Sequence, residues 1–197
     1  MIKYSEKYPE GPASALAGEI DEKTAWQILH YIARSADTSR IAICPDTIFI
    51  DNSGFALAEN NRGDNSGFAL AENNRGDNTR YKAPEGYSAS WALAASVFFI
   101  FMGIDIFHGR GGSVQNANTP IPIMRQGLDS LNSIIADSLN FNPENRPTLE
   151  SIAAIAEKEL QQLASAKSES GQTHTPAPAF PTDGNLEKYW PEIMEQR

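Results

Sequence analysis

A chain of 197 residues with 41% hydrophobic and 21% charged residues has the length of one domain with a tail and enough apolar content for a packed core, which excludes global disorder. Its formal net charge of -9 argues against nucleic acid and anionic membrane surfaces as main partners. A single cysteine, Cys44, excludes an intramolecular disulfide and a cysteine zinc site.

That cysteine usage fits a reducing compartment, and residues 1–11 hold no apolar signal core, so a cytoplasmic location is expected. Residues 1–19 are polar and carry Pro9, Gly11, Pro12 and Gly18, which predicts extended chain and turn. Asp21 is a good helix cap, and Glu22 suits the first helical turn. Ala25, Ile28, Leu29, Ile32 and Ala33 recur at helical spacing with Trp26 beside them, predicting a helix over 22–35. Ile48 to Ile50 has strand composition, Asp51-Asn-Ser-Gly54 is a turn, and Phe55 to Ala58 makes a returning strand. Residues 51–63 and 64–76 are identical copies of one 13-residue sequence. A solenoid needs several diverged units, so this is a tandem duplication of which one copy fills the hairpin. The first copy follows the strand directly and is the expected one.

From Gly86 to Ile104 the chain has no charge, and a helix apolar on all sides must be buried by protein or by lipid. Ser88, Ser90 and Ser96 leave only Ala92 to Met102 strongly apolar, which is short for a membrane span and normal for a core helix. Residues 107–122 read as loop, because Gly109, Gly111 and Gly112 match neither nucleotide-binding spacing. Leu128, Leu131, Ile134, Ile135 and Leu139 predict a helix over 124–139. Thr148 caps a last helix with Leu149, Ile152, Ala156, Leu160 and Leu163 on one face. Residues 166–184 have linker composition. Leu186 to Met194 is a short helical patch with Tyr189, Trp190 and Ile193, interrupted by Pro191.

Three stretches resemble the C-terminal lobe of protein kinases: Tyr8-Pro-Glu-Gly11; Arg80-Tyr-Lys-Ala-Pro-Glu85 leading into Ser88-Ala-Ser-Trp-Ala-Leu93; and Leu139-Asn-Phe-Asn-Pro-Glu-Asn-Arg-Pro-Thr-Leu149. The resemblance covers residues 8–165, from hinge to final helix. It implies a mainly α fold, a helical bundle around a buried apolar central helix with a small β-hairpin. It also implies a hinge-like lead segment (1–19), a lobe-like domain (20–165), and a linker and tail (166–197). Pro84, Glu85, Trp91 and Arg146 are the architectural residues the resemblance retains, and it implies a largely buried Glu85–Arg146 ion pair.

The residues that carry phosphoryl transfer in that family are not retained. Arg40-Ile41-Ala42 stands where the resemblance places His-Arg-Asp, so the base position holds Ala42, which cannot accept a proton. Cys44 replaces a lysine, Thr47 a metal-holding asparagine, and Ala89 an aspartate of the central helix. Glu59-Asn60-Asn61, or Glu72-Asn73-Asn74 in the second copy, stands at Asp-Phe-Gly. Thr47 and Glu59 are thus the metal positions, with no intact catalytic set. Cys44 reads as a small hydrophobe, and His30, His108 and His174 have no metal-ligand spacing. No phosphate-covering glycine-rich element precedes Asp21. The expectation is a catalytically inactive, pseudokinase-like lobe that serves as an interaction or regulatory module, with an unidentified protein partner and no cofactor or metal. The alternatives are an ATP- and magnesium-dependent serine/threonine kinase whose N-terminal lobe is missing or supplied by another chain, a protein anchored in a membrane through residues 86–104, and a nonfunctional remnant.

Overall fold

The computed structural model describes residues 11–35, 42–51, 56–58 and 78–170, and these are mainly helical. Among the described residues four α-helices, α1 (Glu22–Ser35), α2 (Ala89–Met102), α3 (Asp129–Ser138) and α4 (Leu149–Ser170), are accompanied by one two-stranded antiparallel sheet, β1 (Ile48–Ile50) with β2 (Ala56–Ala58). Ile48 pairs with Ala58, Phe49 with Leu57 and Ile50 with Ala56. The strand that returns on β1 therefore comes from the first copy of the repeat. The chain divides into two compact units, residues 1–164 and 165–197; of the second, only the helical residues Ser165–Ser170 are described.

The first unit is organised around α2. Eleven of its 14 residues are buried, Trp91, Leu93 and Ile100 completely. The helix packs against α1 and α3. At about 1.5 Å per residue it is roughly 21 Å long, short of the ~30 Å hydrocarbon layer. Among the described residues no helix is long and apolar enough to cross a membrane. Ser96, buried among apolar neighbours, donates its hydroxyl to Ala92 O at 2.7 Å and so leaves no unpaired donor. The helix stops at Gly103, whose φ of +71° closes the last turn on Phe99 O. Gly18 lies against it: its N–H donates to the otherwise free Ile100 carbonyl at 2.8 Å, and a Cβ on Gly103 would come within 3.4 Å of Gly18 Cα.

Helix α1 begins where its cap predicts, with Thr24 N donating to Asp21 Oδ1 at 2.8 Å. Its apolar stripe from Ala25 to Ala33 is buried. On its other side His30 Nδ1 meets Ala153 O of α4 at 3.2 Å, and Arg34 faces Glu157 at 3.7 Å on the surface. Thr148 caps α4, its hydroxyl accepting from Ser151 N at 3.2 Å.

The turn within residues 1–19 is a 3₁₀ turn at Ala13–Leu16, with Ala13 buried, pinned where Ser14 N donates to Pro45 O at 3.2 Å. Three expectations need correction. Residues 107–122 are not plain loop, because Gly111–Val114 form a 3₁₀ turn and Phe107 and His108 before it make a left-handed kink. Helix α3 starts at Asp129, not 124. Gly127 sits at φ +83°, and the Asn132 side chain holds the preceding loop by accepting from Met124 N and donating to Arg125 O, each at 2.8 Å. Helix α4 continues to Ser170, past the expected linker start at 166, since Ala166 to Ser170 contain no proline or glycine to stop it. The 166–184 linker beyond Ser170 and the Leu186–Met194 patch lie outside the described residues.

Candidate functional site

Two neighbouring features carry the candidate site residues: the turn before β1 and the turn before α2. In the first, Thr47 N donates to Cys44 O at 3.0 Å and closes the turn over Pro45 and Asp46. The Thr47 hydroxyl accepts from Cys44 N at 3.1 Å, and its single proton is shared between Ala42 O at 2.9 Å and Cys44 O at 3.0 Å. Thr47 is 5% exposed, so its oxygen belongs to its own turn. Ala42 is half-buried and contributes its carbonyl. Burial pushes the Cys44 thiol up, against the opposing hydrogen bond from Thr47, so the thiol is further from a nucleophilic thiolate than a free cysteine. Ile43 N donates to the Tyr87 hydroxyl at 3.1 Å and ties this turn to the second one.

The second turn is Ala83-Pro84-Glu85-Gly86, closed by Gly86 N donating to Ala83 O at 3.0 Å. Pro84 fixes the backbone where the chain reverses, and Gly86 takes φ +125°, open only to glycine. The half-buried Pro84 ring lies on the Gly111–Val114 turn: a Cβ on Gly112 would sit 2.3 Å from Pro84 N, and one on Gly111 would sit 2.1 Å from Thr79 O. Gly112 N donates to Lys82 O at 2.8 Å across this contact. Gly111 and Gly112 thus serve close packing of two backbones.

Glu85 projects from this turn to Arg146. The guanidinium engages the carboxylate through both terminal nitrogens, Nη1 to Oε1 and, at 3.0 Å, Nη2 to Oε2. Its remaining donors reach Asn140 O at 2.7 Å and Phe141 O at 3.1 Å. The pair is not buried on both sides. The Arg146 side chain is 2% exposed and the Glu85 side chain 40%, because the turn carries Glu85 at the surface while the loop 140–146 wraps the arginine. The hydrogen bonds from Arg146 hold the Glu85 carboxyl below the usual glutamate range, with burial opposing.

Trp91 is fully buried, and its indole N–H donates to Gln115 Oε1 at 3.3 Å. Gln115, 7% exposed, passes its own amide hydrogen to Leu139 O at the end of α3. No sequence signal marked Gln115: a single glutamine 24 residues from each partner has no periodicity and no motif. A third polar contact joins Asp105, just after α2, to Arg80 Nη1 at 3.2 Å and to the Tyr81 hydroxyl at 3.3 Å. Burial and the Asp105 carboxylate together push the Tyr81 phenol far up.

The structure thus joins Glu85 to Arg146 and places Pro84 on the glycine turn. Trp91 is buried in the core and bonded to Gln115, and Ala42 and Thr47 belong to the separate turn before β1. His30 is committed to Ala153 O, and His108 is exposed. Arg40, Ile41, the Glu59–Asn61 and Glu72–Asn74 stretches, Tyr8 and His174 lie outside the described residues. No family model matches the chain, and no curated protein matches it.

Proposed function

We propose that this chain is a catalytically inactive protein kinase-like C-terminal lobe that works as a protein-interaction or regulatory module. One observation carries the reading. At the position where the resemblance puts a metal-holding amide, the Thr47 hydroxyl is spent on its own turn, 2.9 Å from Ala42 O, and the base position beside it presents a methyl group. The contacts that hold the shape are present in the same chain: Arg146 on Glu85, and Gln115 between Trp91 and Leu139. A lobe kept for its surface needs these contacts and not the chemistry.

The test is ligand-linked stability. A ligand at about a hundred times its dissociation constant adds roughly 2.7 kcal/mol, which for a domain of this size is a rise of about 5–10 °C in the melting midpoint. The expected outcome with saturating ATP and magnesium is no resolvable shift and no phosphate transfer to a generic protein substrate. A magnesium-dependent rise of that size, or transfer of labelled phosphate, would overturn the reading in favour of an ATP-dependent phosphotransferase.

A further inference from the structure

At the C-terminal end of α2 the chain forms an open groove of about 890 Å³. Its floor and walls are Phe98, Phe99, Phe107 and Pro120, and Ile104 and Val114 stand on it 59% and 41% exposed. Two adjacent non-glycine residues on its wall, Phe107 (φ 50°) and His108 (φ 54°), occupy the left-handed region. Such conformations persist only where the surroundings enforce them, and they cluster at clamps and binding sites. Here the backbone twist seats the Phe107 ring over Trp91, with centroids 6.5 Å apart and planes 30° from parallel, and leaves its other side to the groove.

The titratable residues on the lining are Asp105, His108 and Arg110, on a chain of net charge -9. Asp105 is the acid lining the groove, and its carboxylate is taken by Arg80 and by the Tyr81 hydroxyl. Arg110 lies on the same lining, exposed, with no acidic side chain paired to it among the described residues, and His108 is beside it. An apolar slot whose lining carries an exposed arginine, with no acidic partner for it among the described residues, suits a ligand that is apolar and locally acidic.

We propose that this groove docks a short segment of a partner protein that offers large apolar anchors flanked by carboxylates, the anchors seating on Ile104, Phe107 and Val114 and the acids on Arg110. The proposal rests on the interaction-module reading and names its partner class.

The test uses the full chain, isotope-labelled for amide NMR. It is titrated with a synthetic peptide carrying Leu, Trp and Phe anchors between glutamates, and with its counterpart in which every glutamate is lysine. The expected result is shifts concentrated on residues 98–114 with the acidic peptide and affinity roughly tenfold weaker for the basic one, about 1.4 kcal/mol. Arg110→Glu should reverse that preference, and Ile104→Asp should weaken both peptides, with melting midpoints unchanged because both side chains are exposed. Shifts elsewhere, no charge preference, or a preference that Arg110→Glu leaves intact would overturn the docking site. So would Arg110-dependent binding to anionic phospholipid vesicles with no peptide binding. An ATP–magnesium stabilisation of the same sample overturns the module reading itself, so the two failures are distinguishable.

Discussion

The Glu85–Arg146 pair offers the sharpest test, because its two partners sit in different surroundings. Replacing Arg146 by Met keeps most of the volume but removes the guanidinium from three acceptors. Glu85 is 40% exposed and rehydrates when abandoned, and Phe141 is exposed enough for water to reach its carbonyl. The lost charge-assisted bonds, together with the half-buried Asn140 carbonyl left bare, place the cost at about 3–4 kcal/mol, the lower part of the range for breaking a buried pair. Replacing Glu85 by Ala strands a 2%-exposed arginine side chain that keeps its two carbonyls and gains water through the vacated opening, for a cost of about 2 kcal/mol. The double variant should cost less than the sum of the singles by about 1–2 kcal/mol. Urea unfolding followed by helical circular dichroism at neutral pH measures all three. The carboxyl is held below its ordinary value in the folded state, so the contribution of the pair is fully present above about pH 4.3 and is lost as pH falls through the lowered value. The gap between parent and Glu85→Ala should therefore narrow in acid. An Arg146→Met variant within about 0.5 kcal/mol of the parent, or a coupling indistinguishable from zero, would refute the reasoning.

Three further outcomes are expected. Gly111→Ala, with a Cβ 2.1 Å from Thr79 O, should lower the melting midpoint far more than Gly127→Ala, which has the same sign of φ but open space; equal effects in a thermal melt would show that the glycine contact does not matter. Tyr81 ionises far less readily when folded than when unfolded, so its stabilisation is present below about pH 10 and is lost as pH rises further; Tyr81→Phe should flatten the alkaline fall in the urea midpoint, and an unchanged profile would contradict this. Deleting residues 64–76 should leave a folded chain of equal or greater stability, because β2 comes from the first copy; loss of helical circular dichroism would show that the second copy is structural.

Legibility followed the local physics. Helix α1 carried its own cap at Asp21 and an apolar stripe, and its bounds agree with the structure. Helix α2 was visible from lack of charge, and the shortness of its strongly apolar part favoured a core helix. The start of α3 was not legible. Its apolar stripe continues upstream through Leu128, whereas the Asn132 side chain, a tertiary choice, pins the upstream loop. The glycines of 109–112 read as loop, and nothing in the sequence named the backbone of 79–84 that Gly111 and Gly112 pack against. The exposure of Glu85 depended on which side of its turn faces water, and Gln115 gave no sign at all.

The contact between His30 and Ala153 joins residues 123 apart and closes the first helix against the last. Any stretch of chain added between them changes that closure only through the logarithm of its length. Thirteen residues more or fewer in a loop of that size alter the closure free energy by about 0.1 kcal/mol, far below the worth of one buried contact. A fold whose ends are clasped over so long a span is therefore almost indifferent to the length of what it encloses. A second copy of residues 51–63 adds almost nothing to the entropy cost of bringing α1 and α4 together.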